Sequence, residues 1–272
     1  MSFYGNKIFL LQLQGSLLQA SDAGGNTRSN AFFRTTNDFL PSGYSSPSCD
    51  RNKKREEKIG IGDEDVMQQD NNIAYWQKMA GFYASFMKKN KKMYEEICRE
   101  IKPELNRKMN VLELACGSGQ LSFPLAPKVG HWEATDFSDQ MIAEAKKKAK
   151  SSKLYFSVQD ATNLPYADNS FDTVMIGNAL HIMLEPEKAL YEIHRVLKAQ
   201  GYLFAPTFVQ QSEKKRGLRM RFLELTGFKT YHKWDAEGLM SFISENRFVI
   251  QKHLLIDGFQ PLCCVVARKI IN

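Results

Sequence analysis

The sequence predicts an α/β fold in which seven strands form a mostly parallel sheet with helices on both faces. From about residue 110, short apolar runs alternate with helical patterns, the arrangement expected of βαβ units. The last two apolar runs are joined by a turn at Asp257-Gly258, which indicates an antiparallel pair at the sheet edge. The predicted strands are Asn110–Cys116, His131–Phe137, Leu154–Val158, Phe171–Gly177, Gly201–Phe208, Phe248–Ile256 and Pro261–Arg268.

Helical periodicity accounts for most of the remaining ordered chain. Apolar residues recur three and four positions apart in these segments, which predicts amphipathic helices. The predicted helices are Ile73–Met87, Met93–Ile101, Gln120–Lys128, Gln140–Lys150, Pro186–Leu197, Gln211–Leu225 and Asp235–Asn246.

The first 69 residues differ in composition from the rest of the 272-residue chain. They are rich in Ser, Asn, Gly and Thr, and no apolar periodicity persists through them. Such composition predicts a weakly ordered N-terminal extension over residues 1–69 and a folded domain over residues 70–272.

Charge and cysteine content favour a cytoplasmic protein of ordinary globular type. Lys and Arg exceed Asp and Glu by 37 to 30, but many of the lysines cluster in the segments 88–92 and 146–150, which read as solvated faces. The five cysteines are odd in number and contain no C-x-x-C, so neither a disulfide framework nor a zinc site is indicated. No apolar run is long enough for a transmembrane segment, and we expect a monomer or a homodimer.

A glycine-containing turn after the first predicted strand is the strongest motif. Gly117 and Gly119 follow an apolar run that includes Glu113, and a predicted helix comes next. A phosphate-binding P-loop would need Lys-Ser/Thr where Gln120-Leu121 stands, and a dinucleotide fingerprint would need Gly or Ala where Ser122 stands. The third possibility is an acidic-x-Gly-x-Gly-x-Gly loop, with Ala115 at the first glycine position.

Three further motifs follow in order. The second predicted strand ends within the motif Ala134-Thr135-Asp136-Phe137-Ser138-Asp139-Gln140-Met141. The third strand is followed by Gln159-Asp160-Ala161. The fourth strand opens with Phe171-Asp172 and leads to Asn178-Ala179-Leu180-His181. With the glycine turn, these motifs make residues 72–270 resemble the class I S-adenosylmethionine-dependent methyltransferases, close to the small-molecule branch that includes quinone-biosynthesis enzymes. The resemblance implies a Rossmann-like fold and S-adenosyl-L-methionine as cofactor.

The resemblance also implies roles for individual residues. Asp136 would accept hydrogen bonds from the ribose hydroxyls, as acidic residues at this place do in related dinucleotide folds. Asp160 and the Ala161 backbone would read the adenine edge, and the glycine turn would wrap the methionine part. The implied cofactor-binding residues are Glu113, Ala115, Gly117, Gly119, Asp136, Phe137, Met141, Asp160, Ala161, Asn178 and Tyr83. Ala115 departs from the family, which commonly has glycine there.

We therefore expect an enzyme that transfers a methyl group to a small-molecule acceptor by in-line displacement. His181 is the candidate general base or substrate contact, with a structural role as the alternative. The acceptor chamber is expected from the helix around 76–87 and the insertion 211–231. No metal-ligand spacing and no specific nucleic-acid motif is found in the sequence. The other hypotheses are an RNA or protein methyltransferase and a non-catalytic cofactor-binding protein; Ser122 and Asp160 disfavour an oxidoreductase.

Overall fold

The structure is a computed structural model that describes residues 33–35, 77, 90–210, 229–257 and 260–270. Numbered in chain order among these residues, the strands are β1 (Phe33–Thr35), β2 (Asn110–Leu114), β3 (His131–Asp136), β4 (Leu154–Val158), β5 (Phe171–Ile176), β6 (Leu197–Phe208), β7 (Phe248–Ile256) and β8 (Leu262–Lys269). The α-helices are α1 (Lys91–Ile101), α2 (Ser122–Leu125), α3 (Asp139–Lys146), α4 (Pro186–Val196) and α5 (Ala236–Glu245). Short 3₁₀ turns occupy Lys102–Glu104, Ala126–Lys128 and Leu180–Ile182.

The strands form one sheet in the order β1-β7-β8-β6-β5-β2-β3-β4. The five strands from β4 to β6 run parallel, and β8 and β7 are antiparallel to their neighbours. The predicted fold class is thus confirmed, including the antiparallel C-terminal pair. One strand was not predicted: β1 pairs antiparallel with β7, with Phe33 opposite Leu254, and makes the sheet eight-stranded.

Two hydrophobic layers cover the two faces of the sheet. Helices α1, α2 and α3 pack on one face and α4 and α5 on the other. Alternate residues of a strand point to opposite faces, so Val111 joins the first layer and Leu112 the second. Burial on both faces explains why the central strands β2 and β5 are mostly apolar along their length.

Helix α2 is much shorter than the predicted helix Gln120–Lys128. It spans only Ser122–Leu125 and passes into a 3₁₀ turn. Pro127 has no N–H to continue the i to i−4 bonding pattern, so the α-helix ends before it. The predicted helix Pro186–Leu197 ends one residue earlier than expected because β6 begins at Leu197.

Some sequence predictions lie outside the described residues. These are the insertion helix Gln211–Leu225 and nearly all of the helix around 73–87, of which the helical Gln77 alone is described. The division at residue 69 stays a prediction. Within the described ranges, no helix has the length and hydrophobicity needed to span a bilayer.

Candidate active site

A cavity of about 190 Å³ lies at the carboxyl ends of the parallel strands. The chain runs from β2 outward to β3 and β4, and then returns to place β5 on the other side of β2. Ligands of open α/β sheets bind at such a switch point, because the loops diverge there and leave a crevice. The cavity is lined by Ala115, Gly117, Thr135, Asp136, Phe137, Ser138, Met141, Gln159, Asp160, Ala161, Thr162, Ile176, Gly177, Asn178, Ala179, Ile182, Met183, Leu184, Glu185 and Tyr231.

The turn after β2 owes its shape to three residues with left-handed backbone angles. Ala115, Gly117 and Gly119 have φ values of 53°, 54° and 88°. A Cβ on Gly119 would lie 2.5 Å from Cε2 of Phe123, so this position needs glycine for space as well as for conformation. Ala115 adopts the same left-handed conformation with a side chain, at a cost of roughly 1–2 kcal/mol. Ala115 and Gly117 line the cavity, whereas Gly119 closes the turn behind it.

Asp136, at the end of β3, is hydrogen-bonded to this turn. Its Oδ2 accepts a hydrogen bond from the Gly117 N–H at 2.8 Å, and its Oδ1 accepts one from the Ser138 N–H at 2.9 Å. Burial raises the pKa of Asp136, and these two N–H donors oppose the shift. Each carboxylate oxygen has a second lone pair, so the group can still accept from a diol in the cavity.

Glu113 does not line the cavity, although it belongs to the glycine motif. Its Oε2 accepts hydrogen bonds from Ser122 Oγ at 2.5 Å and Trp132 Nε1 at 2.9 Å, beneath the turn. Burial raises the pKa of Glu113 to about 7, while these two donors lower it and the charge of Asp136 raises it further. The side chain therefore ties β2 to α2 and β3, and it supports the turn from behind.

The segment after β4 presents a carboxylate with one oxygen available. Oδ1 of Asp160 accepts from both the N–H and the hydroxyl of Thr162, each at 2.8 Å. Its Oδ2 accepts no hydrogen bond from the described part of the chain. Because Asp160 and Ala161 both line the cavity, this oxygen and the adjacent backbone can meet the edge of a planar base.

Apolar side chains from the start of α3 form the neighbouring wall. Ser138 caps this helix by accepting the Met141 N–H on its hydroxyl at 3.2 Å. The cap places Met141 in the cavity wall, where it is 2% exposed, and leaves Phe137 46% exposed at the rim. A large exposed phenyl ring at a cavity mouth suits contact with a ligand.

Asn178, directly after β5, carries a polar atom that needs a partner. Its N–H donates to the Pro206 carbonyl at 2.7 Å and its φ is 54°. Its side-chain Oδ1 is buried and has no hydrogen-bond partner among the described residues. A buried acceptor without a donor is costly. The charged amino group of an amino acid, such as the methionine part of the expected cofactor, would supply that donor.

His181 lies beside the cavity but not in its lining. The residue is 4% exposed, its ring meets Phe208 edge to face, and burial lowers its pKa to about 4. It is therefore neutral at physiological pH and a weak base. Its backbone carbonyl accepts the N–H groups of Tyr231 and His232, each at 3.1 Å, and so anchors the end of the insertion. These features support the structural alternative for His181; a catalytic role stays an untested prediction.

Several lining residues were missed by the sequence reasoning. They share the segment between β5 and α4 and carry no motif of their own, namely Ile182, Met183, Leu184 and Glu185. Tyr231 was inside the insertion expected to form the acceptor chamber, and the cavity wall includes it. Tyr83, the remaining predicted contact, lies outside the described residues.

Two family models match the chain. A methyltransferase domain matches residues 112–205, which run from β2 through β6. A tRNA (uracil-5-)-methyltransferase model matches residues 51–156.

The relatives found among known proteins are also named as methyltransferases. The chain is 34% identical over 137 residues to a demethylmenaquinone methyltransferase of Clavibacter sepedonicus, covering 50% of this chain and 53% of the relative. It is 33% identical over 179 residues to a ubiquinone/menaquinone biosynthesis C-methyltransferase of Rickettsia bellii, covering 57% and 70%. The chain thus spans only about half the length of the first relative.

Solved structures support the fold. A putative methyltransferase of Haloferax volcanii, in complex with the Trm112 activator, superposes with a TM-score of 0.62 at 17% identity over 72% of this chain and 98% of that one. The magnesium protoporphyrin IX methyltransferase of Synechocystis, with bound SAH, has a TM-score of 0.57 at 17% identity over 76% and 100%. The site geometry and the relatives together assign the chain to the class I S-adenosylmethionine-dependent methyltransferases, in the branch whose named members include quinone-biosynthesis C-methyltransferases.

Proposed function

We propose that this protein transfers a methyl group from S-adenosylmethionine to a ring carbon of a small aromatic diol of the quinol type. The observation that carries the proposal is the cavity at the switch point, which combines Asp136, Asp160 and Asn178 in one wall. The strand order supports an assignment of their tasks: β4, β3, β2 and β5 are consecutive neighbours, so their ends form a row. Along that row Asp160 meets the base, Asp136 the ribose and Asn178 the amino-acid end.

The cofactor supplies an activated methyl group on a positively charged sulfur. The residues bind and orient, since in-line displacement requires the acceptor atom to lie opposite the sulfur–carbon bond. Asp136 holds the ribose and the glycine turn with the same carboxylate, which couples the sugar to the loop around the methionine part. The apolar residues Ile182 and Met183 exclude water from the wall that follows β5.

The acceptor class follows from chemistry and from the relatives. The named relatives act as demethylmenaquinone and ubiquinone/menaquinone C-methyltransferases. A ring carbon next to a phenolic oxygen is nucleophilic by itself, so no covalent enzyme intermediate is required. The new carbon–carbon bond forms as the sulfur–carbon bond breaks, its electron pair stays on sulfur, and the displaced ring proton passes to solvent.

Methylation of uracil in RNA is the competing hypothesis raised by the second family model. Uracil C5 becomes nucleophilic only after a nucleophile, typically a thiolate, adds to the ring. The described cysteines are all buried, and burial raises the pKa of Cys98 to about 11 and that of Cys263 to about 12. Cys116 is near the turn, but burial also raises its pKa well above the usual value. The described thiols are therefore poor nucleophiles, which favours a small molecule.

Calorimetry and turnover together test the proposal. We expect S-adenosylmethionine to bind, and a demethylated quinol to be methylated with release of S-adenosylhomocysteine. Absence of binding at millimolar cofactor would reject the cofactor site. Binding without turnover on quinols would favour the non-catalytic alternative, and turnover on RNA with the salt dependence of a phosphate contact would favour the macromolecular one.

A further inference from the structure

The connection between β4 and β5 carries the adenine-side residues but contains no helix or strand. It spans residues 159–170. Backbone groups in such a segment still need hydrogen-bond partners when they are buried. Leu164 is 4% exposed, and both of its backbone groups bond to side chains of α4: its N–H to Glu192 Oε2 at 2.8 Å and its carbonyl to Arg195 Nη2 at 2.9 Å.

Arg195 makes a further pair of contacts to the same connection. Its Nη1 donates to the Tyr166 carbonyl at 2.7 Å and to Asp168 Oδ1 at 2.9 Å. One planar guanidinium thus spans three residues of the connection. A lysine ammonium is a single point and cannot reach all of these acceptors at once.

Glu192 holds this guanidinium in place. Arg195 donates from Nε to Glu192 Oε1 at 2.8 Å and from Nη2 to Glu192 Oε2 at 2.7 Å, a two-point pairing. Glu192 is only 8% exposed, unlike Glu95, whose pair with Lys91 lies at the surface. The contacts to Leu164 and Tyr166 together with this pairing form what we call the α4 clamp.

The geometry points to the α4 clamp as the device that positions Asp160 and Ala161 for reading the adenine base. These two residues precede Leu164 by three or four positions and line the cavity. Asp160 itself is bonded within its own turn, by its side chain to Thr162 and by its carbonyl, which accepts the Asn163 N–H at 3.1 Å. The turn is held at its start by β3, because the Gln159 N–H donates to the Asp136 carbonyl at 3.1 Å, and at its far end by the α4 clamp through Leu164. Arg195 and Glu192 are positioning residues in this scheme, and the inference rests on the proposed cofactor binding.

A purely structural ion pair would behave differently from a positioning one. Loss of stability lowers the folded fraction, and this weakens every ligand of the site by the same factor. Displacement of Asp160 weakens only ligands that donate to it. The ratio of affinities for S-adenosylhomocysteine and S-inosylhomocysteine reports the base-edge contacts of Asp160 and Ala161, because the second ligand carries an oxo group in place of the adenine amine and an N–H in place of the acceptor N1.

Arg195→Lys is the test variant and Arg268→Lys is its matched control. Arg268 also bonds a backbone carbonyl, that of Gln200 in β6 at 2.7 Å, and its Cζ lies 3.9 Å from the Tyr202 ring centre; it does not line the cavity. Both dissociation constants are measured by calorimetry for each protein, with thermal unfolding recorded in parallel. The unaltered protein should prefer S-adenosylhomocysteine by on the order of tenfold or more.

Arg195→Lys should reduce that preference at least about fivefold, while Arg268→Lys should leave it unchanged even where it lowers the melting temperature. An Arg195→Lys preference within about twofold of the unaltered protein's would overturn the inference, as would equal affinities for the two ligands in the unaltered protein. Absence of binding by either ligand would instead reject the proposed function. Should Arg195→Lys fail to fold, Glu192→Gln replaces it, with the same expectation and the same contrary result.

Discussion

The carboxylate of Asp136 offers the sharpest test of the site because it supports the glycine turn and is proposed to bind the ribose as well. Asp136→Asn keeps the size of the side chain but replaces one oxygen by an amide N–H₂. In the native protein both oxygens accept backbone N–H groups, from Gly117 at 2.8 Å and from Ser138 at 2.9 Å. The amide can satisfy only one of them, and it turns a donor toward the other.

The magnitudes follow from these contacts. An unsatisfied buried N–H costs about 1–3 kcal/mol. Part of this loss of stability is offset because the neutral amide avoids the cost of burying a charged carboxylate, the cost that raises the pKa of Asp136. For the ligand, a hydrogen bond to a charged acceptor contributes about 1.5–3 kcal/mol, and the amide retains one oxygen for the diol. Losing one such bond corresponds to an affinity about 10- to 150-fold weaker.

Calorimetric titration with S-adenosylhomocysteine measures the loss, and Asp172→Asn is the control. Asp172 in β5 accepts the Asn110 N–H and the Lys198 ammonium, each at 2.8 Å, and does not line the cavity. We expect the control to lose stability but keep its affinity. A folded Asp136→Asn protein that binds within twofold of the unaltered one would refute the ribose assignment.

Three further substitutions probe the turn and its support. The pKa of Glu113 is raised from 4.5 to about 7, so between these pH values the folded protein retains a proton that the unfolded chain releases. This difference lowers the free energy of unfolding by about 3 kcal/mol as the pH rises from 4.5 to above 7. The stability of Glu113→Gln relative to the unaltered protein should therefore be greater at pH 8 than at pH 5 in denaturant titrations. An equal stability difference at the two pH values would contradict the raised pKa. Ala115→Gly should raise the unfolding free energy by about 0.5–1 kcal/mol through relief of left-handed strain, and a loss would show that the alanine side chain stabilises the turn. Gly119→Ala should destabilise the protein by about 1–3 kcal/mol, since its Cβ would meet Phe123, and a neutral result in thermal unfolding would show that this ring moves away freely.

Much of the fold and the cofactor wall could be predicted because the relevant signals are local. Short runs rich in β-branched and aromatic residues mark strands even where alternate positions are exposed, so β4 and β7 were predicted to the residue. Asp136 and Asp160 follow such runs, and the parallel order brings strand ends together at one edge. Asn178 was implied by the family resemblance, and the cavity lining includes it.

The sequence alone determined the fold class and the residues at the strand ends, since hydrophobic periodicity and turn-forming residues report on their immediate neighbourhood. Only the tertiary structure decided which residues of those motifs line the cavity. Glu113 shares a motif with Gly117, yet it faces the core, because it lies on the same side of β2 as the buried Val111. The α4 clamp joins residues about thirty positions apart, and Tyr231 enters the cavity from an insertion. Such contacts depend on how elements pack against one another, which no local pattern records.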